Sequence, residues 1–155
     1  MPGTRRFLRA RRRLLLATAA MGMLLAFEAP VALGADGDIT TFAGGGSGGD
    51  GGQASAARLV KPRRVEFLPG GATAIVDFSG DEEYGGRVRR VASNGTLTTL
   101  AGTGQLGFSG DNGPAAGAAL NGPTDIMATP DGRLVIADEF NNRIRVIGAD
   151  GFIRT

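Results

Sequence analysis

From residue 36 onward the chain alternates apolar and polar residues in short bursts, each closed by a turn rich in glycine, asparagine or aspartate. A period of two is the signature of a strand with one face buried. In the best-defined stretch the pattern predicts strands at residues 124–128, 133–137 and 143–147, with a further strand opening at Phe152. Pro130-Asp131-Gly132 and Asp150-Gly151 separate members of this set. Asp-Gly between alternating segments predicts tight hairpins of type I′, in which both central residues take positive φ. Residues 138–142 form a polar connection, and no sustained 3.6-residue period occurs after residue 36.

The same pattern is written more than once. Gly37, Gly95 and Gly151 align, each followed by an alternating segment: Asp38-Ile39-Thr40-Thr41, Thr96-Leu97-Thr98-Thr99 and Phe152-Ile153-Arg154-Thr155. Gly49-Asp50-Gly51-Gly52 matches Gly110-Asp111-Asn112-Gly113, and Pro62 matches Pro123. Ala74-Ile75-Val76-Asp77 matches Val135-Ile136-Ala137-Asp138, and Arg87-Val88-Arg89 matches Arg143-Ile144-Arg145. Insertions fall between the alternating segments, so the strands keep register while the loops vary. Recurrence at this interval predicts stacked supersecondary units. Four antiparallel strands per unit is the arrangement of a β-propeller blade. The expected fold is therefore all-β: about two blades plus the first strand of a third, with residues 36–100 as the first blade and 101–155 as the second and the start of the next. The first unit has a longer connection after Phe78, whose Asp81-Glu82-Glu83 run reads as a solvated loop tip.

Residues 1–35 read differently. Six arginines precede an apolar run from Leu14 to Phe27, followed by a break ending in small residues at Gly34-Ala35. This three-part layout is that of a helical signal peptide, and the run is short for a membrane span. Secretion or placement in the cell envelope is the expectation, with cleavage near Ala35 or retention as an N-terminal anchor, by either the general or the twin-arginine route.

Charge sharpens the picture. The basic pI of 9.9 comes from that leader, because eleven basic and fourteen acidic residues follow Ala35. An acidic body is a poor match for a phosphate backbone, so no nucleic-acid partner is expected. No membrane contact is expected apart from the signal segment. The chain has no cysteine and no histidine, which removes disulfides, thiolate chemistry and the commonest general base and zinc ligand.

Candidate chemistry is sparse. Gly102, Gly104 and Gly107 have dinucleotide-fingerprint spacing, with Asp125 downstream. That motif requires a helix directly after it to hold pyrophosphate, and Phe108-Ser109-Gly110-Asp111-Asn112-Gly113-Pro114 is loop. Asp50 and Asp111 stand alone in glycine-rich loops; calcium is the one ion they suggest, and loop-stabilising bonds from nearby backbone N–H groups are the competing reading. Asp77 and Asp138 at strand ends read as blade braces, with Asp138 paired to Arg143 and Asn142 in the connection between them. No catalytic, cofactor-binding or metal-binding residue is expected in this segment.

Pro123-Thr124-Asp125-Ile126, the run Pro130 through Asp138, Asn141-Asn142-Arg143-Ile144-Arg145-Val146 and Asp150-Gly151-Phe152-Ile153-Arg154-Thr155 together resemble the NHL-repeat family. The glycine-rich stretch from Ala101 to Ala115 is similar to the blade connection of secreted bacterial members and of teneurin propellers. The first unit departs from the motif in lacking the Asn-Asn pair before Arg87. The resemblance implies a closed ring, usually of six blades, so the chain is expected to be a fragment whose partners include other blades of the same propeller; self-assembly of several chains is the alternative. It also implies a non-catalytic binding scaffold for a protein or glycan ligand. The competing expectation is part of a propeller enzyme, a gluconolactonase-like hydrolase or lyase, with its active-site residues elsewhere.

Overall fold

A computed structural model describes residues 39–78 and 85–155 of the chain. The signal-peptide reading and the Asp81-Glu82-Glu83 run lie outside the described residues. The rest forms two antiparallel meanders. The first comprises β1 (Pro62–Phe67), β2 (Thr73–Asp77), β3 (Arg87–Val91) and β4 (Leu97–Ala101), paired in that order. The second contains β5 (Gly113–Pro114), β6 (Pro123–Ala128), β7 (Leu134–Asp138), β8 (Arg143–Ile147) and β9 (Phe152–Arg154), in the order β5-β9-β8-β7-β6. These are two blades of β-propeller type, and the described helical structure is limited to three-residue 3₁₀ turns.

β9 pairs with β8, Val146 opposite Arg154 and Ile147 opposite Ile153. The residues that open the third copy of the repeat are thus the outer strand of the second sheet. An outer strand needs a third strand to pair with. Among the described residues the earliest copy of the segment has none before it, and Ile39 stands fully exposed outside any strand.

The hairpin turns differ from the type I′ expectation. Gly132 has φ of 82° and Gly151 of 77°, but Asp131 and Asp150 are not in the positive-φ region. In the first of these turns Gly132 N–H donates to Thr129 O at 2.9 Å while Thr129 N–H donates to Arg133 O at 2.8 Å. This is a longer turn closed by one left-handed glycine. Gly95 and Gly151 close their turns with the same pair of bonds, Gly95 to Ala92 and Gly151 to Gly148.

Each glycine-rich stretch does more than link one blade to the next. Gly51 N–H donates to Leu97 O and Leu97 N–H to Gly52 O, running the loop along the outer strand β4. In the second unit Asn112 N–H donates to Ile153 O and Ala115 N–H to Gly151 O, and the pairing extends to the two-residue strand β5. From that edge the chain crosses the sheet face to reach β1 or β6. Residues 44–59 and 102–120 are therefore straps, anchored at the outer edge and buried where they cross. Ala54 and Ala57 of the first strap pack with Ile75, Val91 and Leu97. Ala115, Ala118 and Leu120 of the second pack with Ile126, Ile136 and Ile153 beneath, and with Ala74, Val76 and Val88 of the first sheet above. The second strap is thus filling in a sandwich between two blades, and small alanines let the layers approach.

β1 and β6 each carry a register shift at their start, between Pro62 and Arg64 and between Pro123 and Asp125. Proline cannot donate to the ladder, so it is confined to a bulge at the strand's first residue. Across the blade junction Arg64 Nε lies 2.9 Å from Asp125 Oδ1, and Ala128 N–H donates to Glu66 Oε1 at 3.1 Å. Asp125, which stood at a tempting distance from the glycine fingerprint, serves this exposed junction instead.

Candidate functional site

The repeated aspartates hold the straps. At the end of β2, Asp77 Oδ1 accepts from the backbone N–H groups of Val60 and Lys61, both at 2.8 Å. At the end of β7, Asp138 Oδ1 accepts from Asn121 N–H at 2.7 Å. Each carboxylate thereby fixes the last strap residues as they turn into the inner strand. Asp138 does more: its Oδ2 accepts from Asn141 Nδ2 at 2.8 Å and from Arg145 Nη1 at 3.4 Å.

The cation beside Asp138 is thus Arg145 rather than Arg143. Arg143 is the directly opposed residue in the ladder, but its guanidinium turns outward, donating to Asn141 O at 2.8 Å and covering the Phe108 ring at 4.0 Å. Arg145, two residues along the same face, lies under the strap and is wholly buried. Burial is tolerable there because Arg145 is paired and bonded: to Asp111 Oδ1 at 2.8 Å, Ser109 O at 3.0 Å and Ala119 O at 3.4 Å, besides Asp138. Asn142 takes φ of 52° in the left-handed region and ends the turn Glu139–Asn141, a conformation asparagine tolerates better than most residues.

Asp50 and Asp111 occupy equivalent places. Asp50 pairs with Arg89 and accepts from Thr99 N–H at 2.9 Å. Asp111 pairs with Arg145 and faces Thr155. Arg89 and Arg145 match in the repeat, as do Thr99 and Thr155, so each unit has an aspartate–arginine–threonine clamp from strap to sheet. The donors come from β3, β4 and their counterparts, not from the loop itself. Burial pushes the Asp50 carboxyl up, but hydrogen bonding from Thr99 and the charge of Arg89 outweigh it and leave the carboxyl below its usual range. Asp111 behaves alike, burial being outweighed by Thr155 and Arg145. Both oxygens of Asp50 are engaged by donors, a poor starting point for a calcium ligand.

The two clamps differ in what covers them. Over the second lies Phe108, with the Arg143 and Arg145 guanidinium carbons 4.0 and 4.6 Å from its ring centroid, and Asn141 Nδ2 ties the assembly to Gly107 O at 2.8 Å. The first strap is three residues shorter between Ala43-Gly44 and Asp50 than its counterpart and carries no aromatic residue there. A cleft of about 630 Å³ opens in its place, lined by Asp50, Arg58, Asp77, Arg87, Arg89 and Thr99 among others. Sequence reasoning singled out the aspartates and missed Arg89, Arg145 and Phe108. The available signal was a charged residue recurring on alternate positions of the third strand, at the same place as an aspartate recurring in the loop.

Antiparallel units of four and five strands stacked face to face, strapped by buried connections, define a protein of blade-repeat class. No family model matches the sequence. Among curated proteins the chain is similar to Teneurin-3 of Danio rerio, 34% identical over 103 residues, covering 55% of this chain and 4% of the relative. It is also similar to Teneurin-1 of Mus musculus, 35% identical over 99 residues, covering 57% and 4%, and to Teneurin-4 of Homo sapiens, 37% identical over 78 residues, covering 43% and 3%. The chain thus spans a small fraction of the length of the relatives it matches.

Proposed function

We propose that the chain is part of an exported, NHL-type β-propeller that serves as a non-catalytic binding scaffold, its two blades taking their place beside others. The similarity to teneurins supports the NHL reading, and the leader pattern of residues 1–35 supports export. The observation that carries the reading of further blades is a mismatch between equivalent positions. Ile126 on β6 is 1% exposed because the first blade lies against it, whereas its counterpart Val65 on β1 is 51% exposed. Each blade has a front that accepts a predecessor and a back that accepts a successor. No described residue covers the front of the first or the back of the second, and the internal junction shows how such surfaces fit.

Repetition of one heterologous contact closes a ring when the rotation allows it. Further blades, in the same polypeptide or from further copies, are the occupants this geometry suits. Light scattering of the 155-residue chain tests the reading. Self-association that Val65→Asp and Ile144→Asp each abolish is the expected result. A compact, cooperatively unfolding monomer would overturn it. For the scaffold against the enzyme, lactone hydrolysis or lyase turnover by the purified protein would decide for the latter.

A further inference from the structure

We propose that the first blade carries a ligand-binding cleft, lined by Arg58, Arg87 and Arg89, that takes a planar aromatic carboxylate in the place Phe108 fills in the second blade. The inference concerns one blade and its straps, so it stands whether or not the blades join a ring.

The second blade supplies the template. There the strap delivers a phenyl ring against two guanidinium groups, while Arg145 finds four oxygen acceptors. In the first blade Arg89 holds the matching position and is almost as deeply buried, at 6% exposed. Its one hydrogen-bond partner among the described residues is Asp50. Its Nε, like that of Arg145, has no partner; but Arg145 is sealed under Phe108, and Arg89 borders an open cleft. A buried guanidinium with unused donors is costly, and an incoming acceptor relieves that cost.

Charge selects the ligand. Asp50 neutralises Arg89. Arg87 donates from Nη2 to Thr103 O at 2.7 Å, a neutral acceptor, and Arg58 makes no ion pair among the described residues. The first oxygen of Asp77 is occupied by Val60 and Lys61. Among the described lining residues the three guanidiniums exceed the two carboxylates, so this lining favours an anion. Guanidinium edges match a carboxylate in two parallel hydrogen bonds, and guanidinium faces match a ring, as Arg143 and Arg145 do with Phe108. A volume of about 630 Å³ falls in the range of small-molecule sites.

The test is titration of the full chain with 2-naphthoate, followed by NMR or calorimetry, with neutral 2-naphthamide as the control. Saturable binding of one equivalent is expected, with the amide weaker by about tenfold or more, the scale of a lost charge-assisted contact. Arg87→Gln combined with Arg58→Gln weakens 2-naphthoate by a similar factor. Ser47→Phe, on the cleft lining, abolishes binding by restoring a ring where the strap lacks one. Absence of saturable binding overturns the proposal, as does equal affinity for the amide. Binding unchanged in Ser47→Phe overturns the placement, and this substitution lies in an exposed loop.

Discussion

Val88 and Ile144 occupy the same position in their respective sheets, yet Val88 is 0% exposed and Ile144 is 56% exposed. They differ in what lies on top: the second strap and blade cover Val88, and nothing described covers Ile144. Val88→Ala should therefore destabilise the chain by about 2 kcal/mol, the loss of buried methyl groups plus the cavity they leave. Ile144→Ala should change stability by about 0.5 kcal/mol or less in dilute solution. Chemical denaturation of both variants checks this. Should chains associate through the uncovered back, the cost of Ile144→Ala rises with protein concentration.

The two strand-end aspartates should part company on substitution. Asp77→Ala strips two backbone N–H groups of their acceptor, worth about 1–3 kcal/mol. Asp138→Ala also leaves the buried Arg145 short of a counter-charge, and the cost rises to about 3–5 kcal/mol. Thermal unfolding of the pair should show the larger fall in Tm for Asp138→Ala. Equal falls would mean that Arg145 is held by Asp111 alone.

Acid should weaken the fold along a defined path. Hydrogen bonding from Arg154 and from Phe152 N–H draws the Asp150 carboxyl down from 3.8 to about 2. Asp131 is lowered by Thr129 above all, with Arg133 assisting, and Asp50 and Asp111 are lowered as described. A depressed carboxyl favours the folded state at pH above its unfolded value and loses that contribution as pH falls through its folded value. Stability is thus expected to hold above about pH 5 and to drop progressively between about pH 4 and 2, as followed by circular dichroism. In Asp150→Asn the drop should be shallower, because one of the depressed groups is gone.

Gly110 and Gly132 both have positive φ, 85° and 82°, but only one is crowded. A Cβ on Gly110 would fall 2.6 Å from Ala118 Cα, where the strap doubles back, while a Cβ on Gly132 would meet nothing within 4 Å. Gly132→Ala should cost about 1–2 kcal/mol for the left-handed conformation alone. Gly110→Ala carries that cost and must also displace the strap, so its loss of stability should be the greater in urea melts.

Most of the strand plan was legible because turn residues bracket each alternating segment: residues 143–147 were expected as a strand and form β8 (Arg143–Ile147). The Asp-Gly and Asn-Gly dipeptides mark where the turns fall but not their type, because each dipeptide ends a longer turn in which only the glycine takes positive φ. The straps were less legible still. Their hydrogen bonds run from glycine-rich loop to outer strand, and a glycine run carries no side-chain pattern to mark which residues lie along an edge. Sequence matches Asp138 to Arg143 because the two oppose each other at the strand ends; the ion pair instead goes to the arginine the strap covers, and that depends on packing far along the chain. The cleft in the first blade arises from three residues missing from a loop, visible only once Phe108 is seen resting on its arginines.

The clamps also bear on the order in which the chain assembles. Asp50 reaches Thr99 across 49 residues and Arg89 across 39, and Asp111 reaches Arg145 across 34, whereas β1 to β4 and β6 to β9 each pair with their neighbours in sequence. Long-range closures must wait for the entropy of the intervening chain to be overcome, so hairpins form first and the straps latch last. Substitutions at Asp50 or Asp111 should accordingly speed unfolding while leaving the folding rate nearly unchanged, and substitutions in the β2–β3 and β7–β8 pairs should slow folding. A strap that closes late is also the first to open, and the cleft beside Arg89 sits under the one with the fewest bonds.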